Sequence, residues 1–223
     1  MAKRVGYRSR AAYKLQQLNR RYGLLRRGDV VVDLGAAPGG WLQVAREEVG
    51  GEGFVLGVDL QPITKLPYNN VATLVGDITK PETWGHIKTK LPRAANVVIS
   101  DASPSVSGVW EIDHLRSIEL ARAALEIACQ VLAHGGKFLI KVFQGEMLDE
   151  FLTEVRQKFA FVKVSKPIAS RKGSAEVYVI GKGFKPTSVV LRKTEKLLKT
   201  CKISSTGASV RSPMSEKCIR DAK

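Results

Sequence analysis

A chain of 223 residues with 44% hydrophobic content is long enough for one substantial core and short enough for a single α/β domain to stay undivided. Its formal charge of +15 and pI of about 9.9 point to a polyanionic partner, with solvated surface lysines as the bland reading. Cys129, Cys201 and Cys218 are too scattered for a CxxC zinc or redox motif, and there is neither a signal peptide nor an apolar run of bilayer length, so a cytoplasmic, soluble protein without a metal site is expected.

Residues 1–28 hold nine Lys/Arg and no Asp/Glu. Within them "SRAAYKLQQLNRRYG" places Ala11, Leu15 and Leu18 on one face, with Ser9 as a candidate N-cap and Gly23 past the end, which predicts a basic amphipathic helix. "DVVVDLG" follows as a short, buried, β-branched strand. Further strands are predicted at "GFVLGVDL", "VATLVGD", "NVVISDA", "GKFLIKVF", "AFVKVS" and "AEVYVIGK". Helical patterns lie between several of them, at "WLQVAREEV", "PETWGHIKTKL", "HLRSIELARAALEIACQVLAHGG" and "GEMLDEFLTEVRQKF".

This alternation implies an α/β architecture: a seven-stranded, mainly parallel sheet covered by helices on both faces. The last two strands are joined by "KPIASRKGS", too short for a covered crossover, so they form an antiparallel hairpin at one edge. The active crevice is expected outside the carboxyl ends of the strands. The core thus spans 29–183 after the basic helix of 1–28. Residues 184–223 form a basic extension, in which "TSVVLRKTEKLLKTCK" reads as one more helix and the remainder as disordered.

"VVDLGAAPGGW" sets a glycine loop directly after the first strand, where small residues let backbone approach a ligand. It is not the dinucleotide fingerprint: Gly35, Gly39 and Gly40 break the GxGxxG spacing, and Pro38 lacks an N–H that a pyrophosphate cradle would use. Asp59 ends the second strand, where an acid can take both ribose hydroxyls; Asp77 follows the third and Asp101 the fourth. Each aspartate alone reads equally well as a turn or cap residue. Together with a phosphate-averse loop they describe a nucleoside-like cofactor, and S-adenosylmethionine fits.

"GGKFLIKVFQGE" raises a separate question, because Lys141 stands between Ile140 and Val142 in an apolar strand. A buried charge is seldom left unpaired, so the lysine either snorkels to the surface or sits at the open end of the strand for chemistry. The segments "YRSRAAYKL", "VVDLGAAPGGWLQVA", "GVDL", "SDASPSVSG", "LIKVFQGE" and "SAEVYVIGK" resemble, in order and approximate spacing, the RrmJ/FtsJ family of S-adenosylmethionine-dependent RNA 2'-O-methyltransferases. The resemblance covers about residues 5 to 182.

That resemblance implies the Rossmann-like methyltransferase fold and a Lys-Asp-Lys-Glu tetrad matched here by Lys14, Asp101, Lys141 and Glu176. It also implies that Gly39, Trp41, Asp59, Asp77 and Asp101 line the cofactor site, beside Gly35 and Gly40 of the loop. Lys141 would take the proton of a ribose 2'-hydroxyl as the oxygen attacks the donor methyl in line, with Asp101 and Glu176 orienting the lysines and Lys14 positioning the ribose. Lys3, Arg8 and Arg10 on one side, and Arg171 and Lys172 on the other, are candidates for gripping RNA phosphates. The expected substrate is a uridine of large-subunit ribosomal RNA, acted on by a monomer. The same chemistry on a tRNA anticodon loop, or a non-catalytic RNA-binding assembly factor, are the competing readings.

Overall fold

The computed structural model describes residues 6–171 and 173–186. Lys3, Lys172 and all but the first three residues of the expected 184–223 extension lie outside the described residues. The basic helix forms as α1 (Ala12–Tyr22) and ends at Gly23, which adopts the left-handed conformation at φ 59° and donates its N–H to the Asn19 carbonyl. Ser9 does not cap it. The helix starts at Ala12, and the Ser9 hydroxyl packs instead against Gly40, so closely that a Cβ there would overlap it.

The wholly buried β1 (Val30–Leu34) is followed by α2 (Gly40–Val49), β2 (Phe54–Asp59), β3 (Val71–Val75), α3 (Pro81–Lys90) and β4 (Ala95–Ser100). Then come α4 (Trp110–Val131), β5 (Leu132–Phe143), α5 (Leu148–Lys158), β6 (Phe159–Ser165) and β7 (Glu176–Phe184). The seven strands lie in the order β3-β2-β1-β4-β5-β7-β6. The first five are parallel, whereas β7 runs antiparallel to both β5 and β6, which gives the expected edge hairpin.

Period-two alternation divides the core into two layers. Val30, Val32 and Leu34 face a cluster that includes Ile118, Ala121 and Leu125 of α4 and Phe151 of α5. Val31, Val97, Ile99 and Leu139 face the opposite layer, where Leu15 and Leu18 of α1 meet Leu42 and Ala45 of α2. From β1 the chain winds outward to β2 and β3 and then returns to β4 on the other side. The β1/β4 boundary is therefore the topological switch point, where the connections leave the sheet in opposite directions and a crevice opens.

Candidate active site

Gly35 makes the crevice possible. Its φ is +74°, and a Cβ on it would lie 2.7 Å from Ala102, so only glycine lets the loops after β1 and β4 pass this closely. The loop then turns its amides inward. Gly35 and Ala36 donate to the Val58 carbonyl, Ala37 donates to Asp59 Oδ2 at 2.9 Å, Gly39 donates to the Ala36 carbonyl, and Pro38 has no N–H. No amide in this run from Gly35 to Gly39 is left over for a pyrophosphate, which is the physical content of the missing dinucleotide fingerprint.

A cavity of about 720 Å³ opens beside this loop, lined by Gly35, Pro38, Asp59, Asp77 and Asp101 together with Leu60, Ile78, Ser103, Arg116, Glu119 and others. Its volume is that of a small-molecule or cofactor site. Four carboxylates against one arginine give the wall an acidic balance in a chain of net charge +15. Asp77 is held below the usual carboxylate range, first by the Thr79 N–H and then by the Thr79 hydroxyl, both donating to its Oδ1. Asp59 already accepts from Ala37 and Gln61 and retains lone pairs toward the cavity. Acidic walls, no phosphate cradle and the apolar side chains of Leu60 and Ile78 in the lining fit a cationic nucleoside such as S-adenosylmethionine, whose sulfonium and ammonium groups these carboxylates would attract.

Gly39, Gly40 and Trp41 take no part in that lining. Cβ atoms on the two glycines would point at Arg8 and Ser9 of the N-terminal segment. Trp41 is 3% exposed, and its indole N–H donates to the Ala11 carbonyl at 2.8 Å. It fastens α1 to α2 and so fixes the helix that carries Lys14.

The four tetrad residues come from α1, the loop after β4, β5 and β7, and meet around one tyrosine. Lys141, near the end of β5 and 7% exposed, donates to the Asp101 backbone carbonyl at 2.7 Å and lies 3.2 Å from Asp101 Oδ1. Lys14 of α1 pairs with Glu176, the first residue of β7, at 2.5 Å, both side chains 12% exposed. Burial pushes the Glu176 carboxyl up, but the Lys14 hydrogen bond and the charges of Lys14 and Lys141 outweigh it and hold the group below its ordinary value. Between the two pairs stands Tyr178, directly opposite Lys141 in the β5–β7 register. Its hydroxyl donates to Asp101 Oδ1 at 2.8 Å, and Lys14 Nζ sits 5.9 Å from its ring centroid. Lys141 thus neither snorkels away nor lies unpaired.

Two residues that sequence reasoning passed over belong to this site. Tyr178 reads as an ordinary core tyrosine in an alternating strand, and only the register places its hydroxyl on Asp101. Asp33, in the middle of "VVVDL", is fully buried, and neither carboxylate oxygen has a hydrogen-bond partner. Burial first, and then the nearby charges of Asp101 and Asp59, push its carboxyl well above the usual range. An acid in an otherwise apolar buried strand was the available signal.

The expected RNA contacts are placed less uniformly. Arg10 and Arg171 are exposed. Arg8 spends its guanidinium on the carbonyls of Pro38, Thr64 and Lys65, clasping the segment after β2 to the glycine loop. No group of His, Cys, Asp and Glu that could hold a metal ion exists among the described residues, and none of their helices is long and apolar enough to cross a membrane.

A family model described as FtsJ-like methyltransferase matches residues 7–184. The ribosomal RNA large subunit methyltransferase E of Methanothrix thermoacetophila is 57% identical over 181 residues, covering 81% of this chain and 69% of the relative. The protein of the same name from Methanocaldococcus jannaschii is 50% identical over 187 residues, covering 82% and 76%. Among solved structures, a ribosomal RNA methyltransferase from Plasmodium falciparum matches with a TM-score of 0.74 at 28% identity, over 81% of this chain and 100% of that one. Aeropyrum pernix fibrillarin, solved with natively bound S-adenosyl-L-methionine, shares the fold at a TM-score of 0.52 and 16% identity, over 77% and 76%. A match across the whole core, with relatives at half or more identity, settles the family: the chain belongs to the FtsJ-like methyltransferases, enzymes that take S-adenosylmethionine as methyl donor.

Proposed function

We propose that the protein transfers the methyl group of S-adenosylmethionine to a ribose 2'-hydroxyl of large-subunit ribosomal RNA, at a uridine. The names of its relatives support the RNA. The chemistry rests on one observation: Lys141 Nζ is held at the mouth of the crevice by the Asp101 carbonyl and carboxylate, beside the cavity that suits the donor.

The donor supplies an electrophilic methyl on a sulfonium. Everything else falls to the chain. Lys141, as the neutral amine, would accept the 2'-hydroxyl proton while the ribose oxygen takes the methyl group and the donor's sulfur leaves as a neutral thioether, and the ammonium so formed is the state that Asp101 stabilises. Asp101 fixes the direction of Nζ through two contacts, and Tyr178 fixes Asp101. Glu176 and Lys14 neutralise one another on the far side of the tyrosine, where their hydrogen-bonding groups can orient the ribose. No metal is required, because the leaving group departs neutral.

The test supplies methyl-labelled S-adenosylmethionine with undermodified large subunits, free ribosomal RNA and tRNA in parallel. Label on subunit or free ribosomal RNA, at a linkage resistant to alkaline cleavage and on uridine, is the expected result. Label on tRNA alone would replace the target. Label at alkali-labile positions would overturn the 2'-O assignment.

A further inference from the structure

Trp110 opens α4 and remains 45% exposed, although it stands directly over the strand that carries Lys141. Its indole lies along Phe143, with ring centroids 6.0 Å apart and planes 22° apart, and along His114, at 6.3 Å and 17°. The support beneath it is fixed. His114 is buried and accepts the Met147 N–H at Nε2, and the Phe143 N–H donates to the Ser117 hydroxyl. Asp113 takes three hydrogen bonds from Ser107 and Gly108, so the turn that delivers Trp110 is also held. A large aromatic kept rigid and half in solvent offers a flat surface with a low entropic cost of contact.

Position assigns an occupant. Phe143 follows Lys141 by two residues, ends β5, and faces Glu176 across the β5–β7 pair. Contacts thus run from the donor cavity through Asp101 to Lys141, and along the end of β5 to the Phe143–Trp110 shelf. A strand of RNA with one ribose at Lys141 carries its bases alongside this shelf. The chain's charge of +15 favours that polyanion over an apolar protein surface. Building on the RNA 2'-O reading above, we propose that Trp110 is a stacking platform for an unpaired base of the substrate, at or next to the methylated nucleotide. Such a contact recognises single-stranded RNA through its π faces and discriminates against paired RNA, whose bases are already stacked.

The test measures binding of the full chain, saturated with S-adenosylhomocysteine, to a fluorescein-labelled single-stranded polyadenylate and to an RNA duplex of equal length, across a salt series. Trp110→Leu keeps an apolar side chain over Phe143 but removes the ring, and Trp110→Phe restores one. The Leu variant is expected to weaken single-strand binding roughly 5- to 150-fold, with duplex affinity and the slope of log Kd against log salt unchanged. The Phe variant recovers most of the loss. Single-strand binding by the Leu variant within about twofold of wild type overturns the proposal, as does an equal loss on duplex or a changed salt slope, either of which makes Trp110 a support for phosphate contacts. Failure of the 2'-O reading shows separately, as absence of alkali-resistant label with the wild-type protein.

Discussion

Tyr178→Phe removes one oxygen and leaves the ring in place. The contacts to Lys14 at 5.9 Å and to Trp41 at 6.1 Å therefore persist, and only the 2.8 Å bond to Asp101 Oδ1 is lost. That oxygen then retains Lys141 at 3.2 Å as its remaining partner. A hydrogen bond to a charged acceptor contributes about 1.5–3 kcal/mol. At roughly 2–4 °C per kcal/mol for a domain of this size, the melting temperature should fall by about 3–12 °C. The rate effect is partial, because the Asp101 backbone carbonyl still grips Lys141 at 2.7 Å while the carboxylate can swing. A loss of roughly tenfold to a hundredfold at saturating substrates is expected from misplacement alone, with donor affinity unchanged. Burial first, and then the charges of Asp101 and Glu176, push the tyrosine hydroxyl far above its ordinary value, so it stays a donor throughout the working range. The ratio of variant to wild-type rate should consequently be flat with pH. Thermal melts and single-turnover methyl transfer read these effects. A variant that melts and reacts like wild type would refute the idea that Tyr178 holds Asp101.

Two further outcomes follow from the buried charges. The folded chain holds a proton on Asp33 where the unfolded chain has lost it, so this group's contribution to stability falls as pH rises from its ordinary value of 3.8 toward its raised folded value. Asp33→Asn removes that slope: in melts of the donor-free protein between acid and neutral pH, the variant should gain on wild type as pH rises, and parallel curves would contradict it. Glu176 has the opposite sign, since its lowered value gives stability that is present above its ordinary value of 4.5 and lost as pH falls through the folded value. Lys14→Met leaves the half-buried carboxylate without its nearest partner and should cost on the order of 3 kcal/mol at neutral pH, with the gap to wild type closing on acidification. A gap independent of pH would place the effect in α1 packing.

The sheet was legible because each strand is a short β-branched run with a Gly-containing joint, and because "KPIASRKGS" leaves no room for a crossover. Boundaries shifted where tertiary contact overrode local signals. α4 begins at Trp110, ahead of the predicted "HLRSIEL", because Asp113 gathers the preceding turn; β5 begins at Leu132, with a register break opposite Ala95 and Val97. The meeting of Lys14 with Glu176 and of Lys141 with Asp101 was legible only through motif resemblance, since nothing in the local pattern of "AYKL" or "AEVY" says that Lys14 and Glu176 pair. Trp41, expected beside the glycine loop as cofactor wall, has its indole covered by α1, which is placed by contacts far away in sequence. Tyr178 and Asp33 stayed hidden because strand periodicity reports which face a residue takes and not what that face touches.

Lys141→Ala removes the amine on which the proposed chemistry depends. The measurement is single-turnover transfer from labelled S-adenosylmethionine to large-subunit RNA, alongside donor binding by calorimetry. Transfer is expected to fall roughly 10²- to 10⁴-fold, the range of a positioned general base, with donor affinity retained. Near-normal transfer with donor bound would contradict it and remove Lys141 from the chemistry.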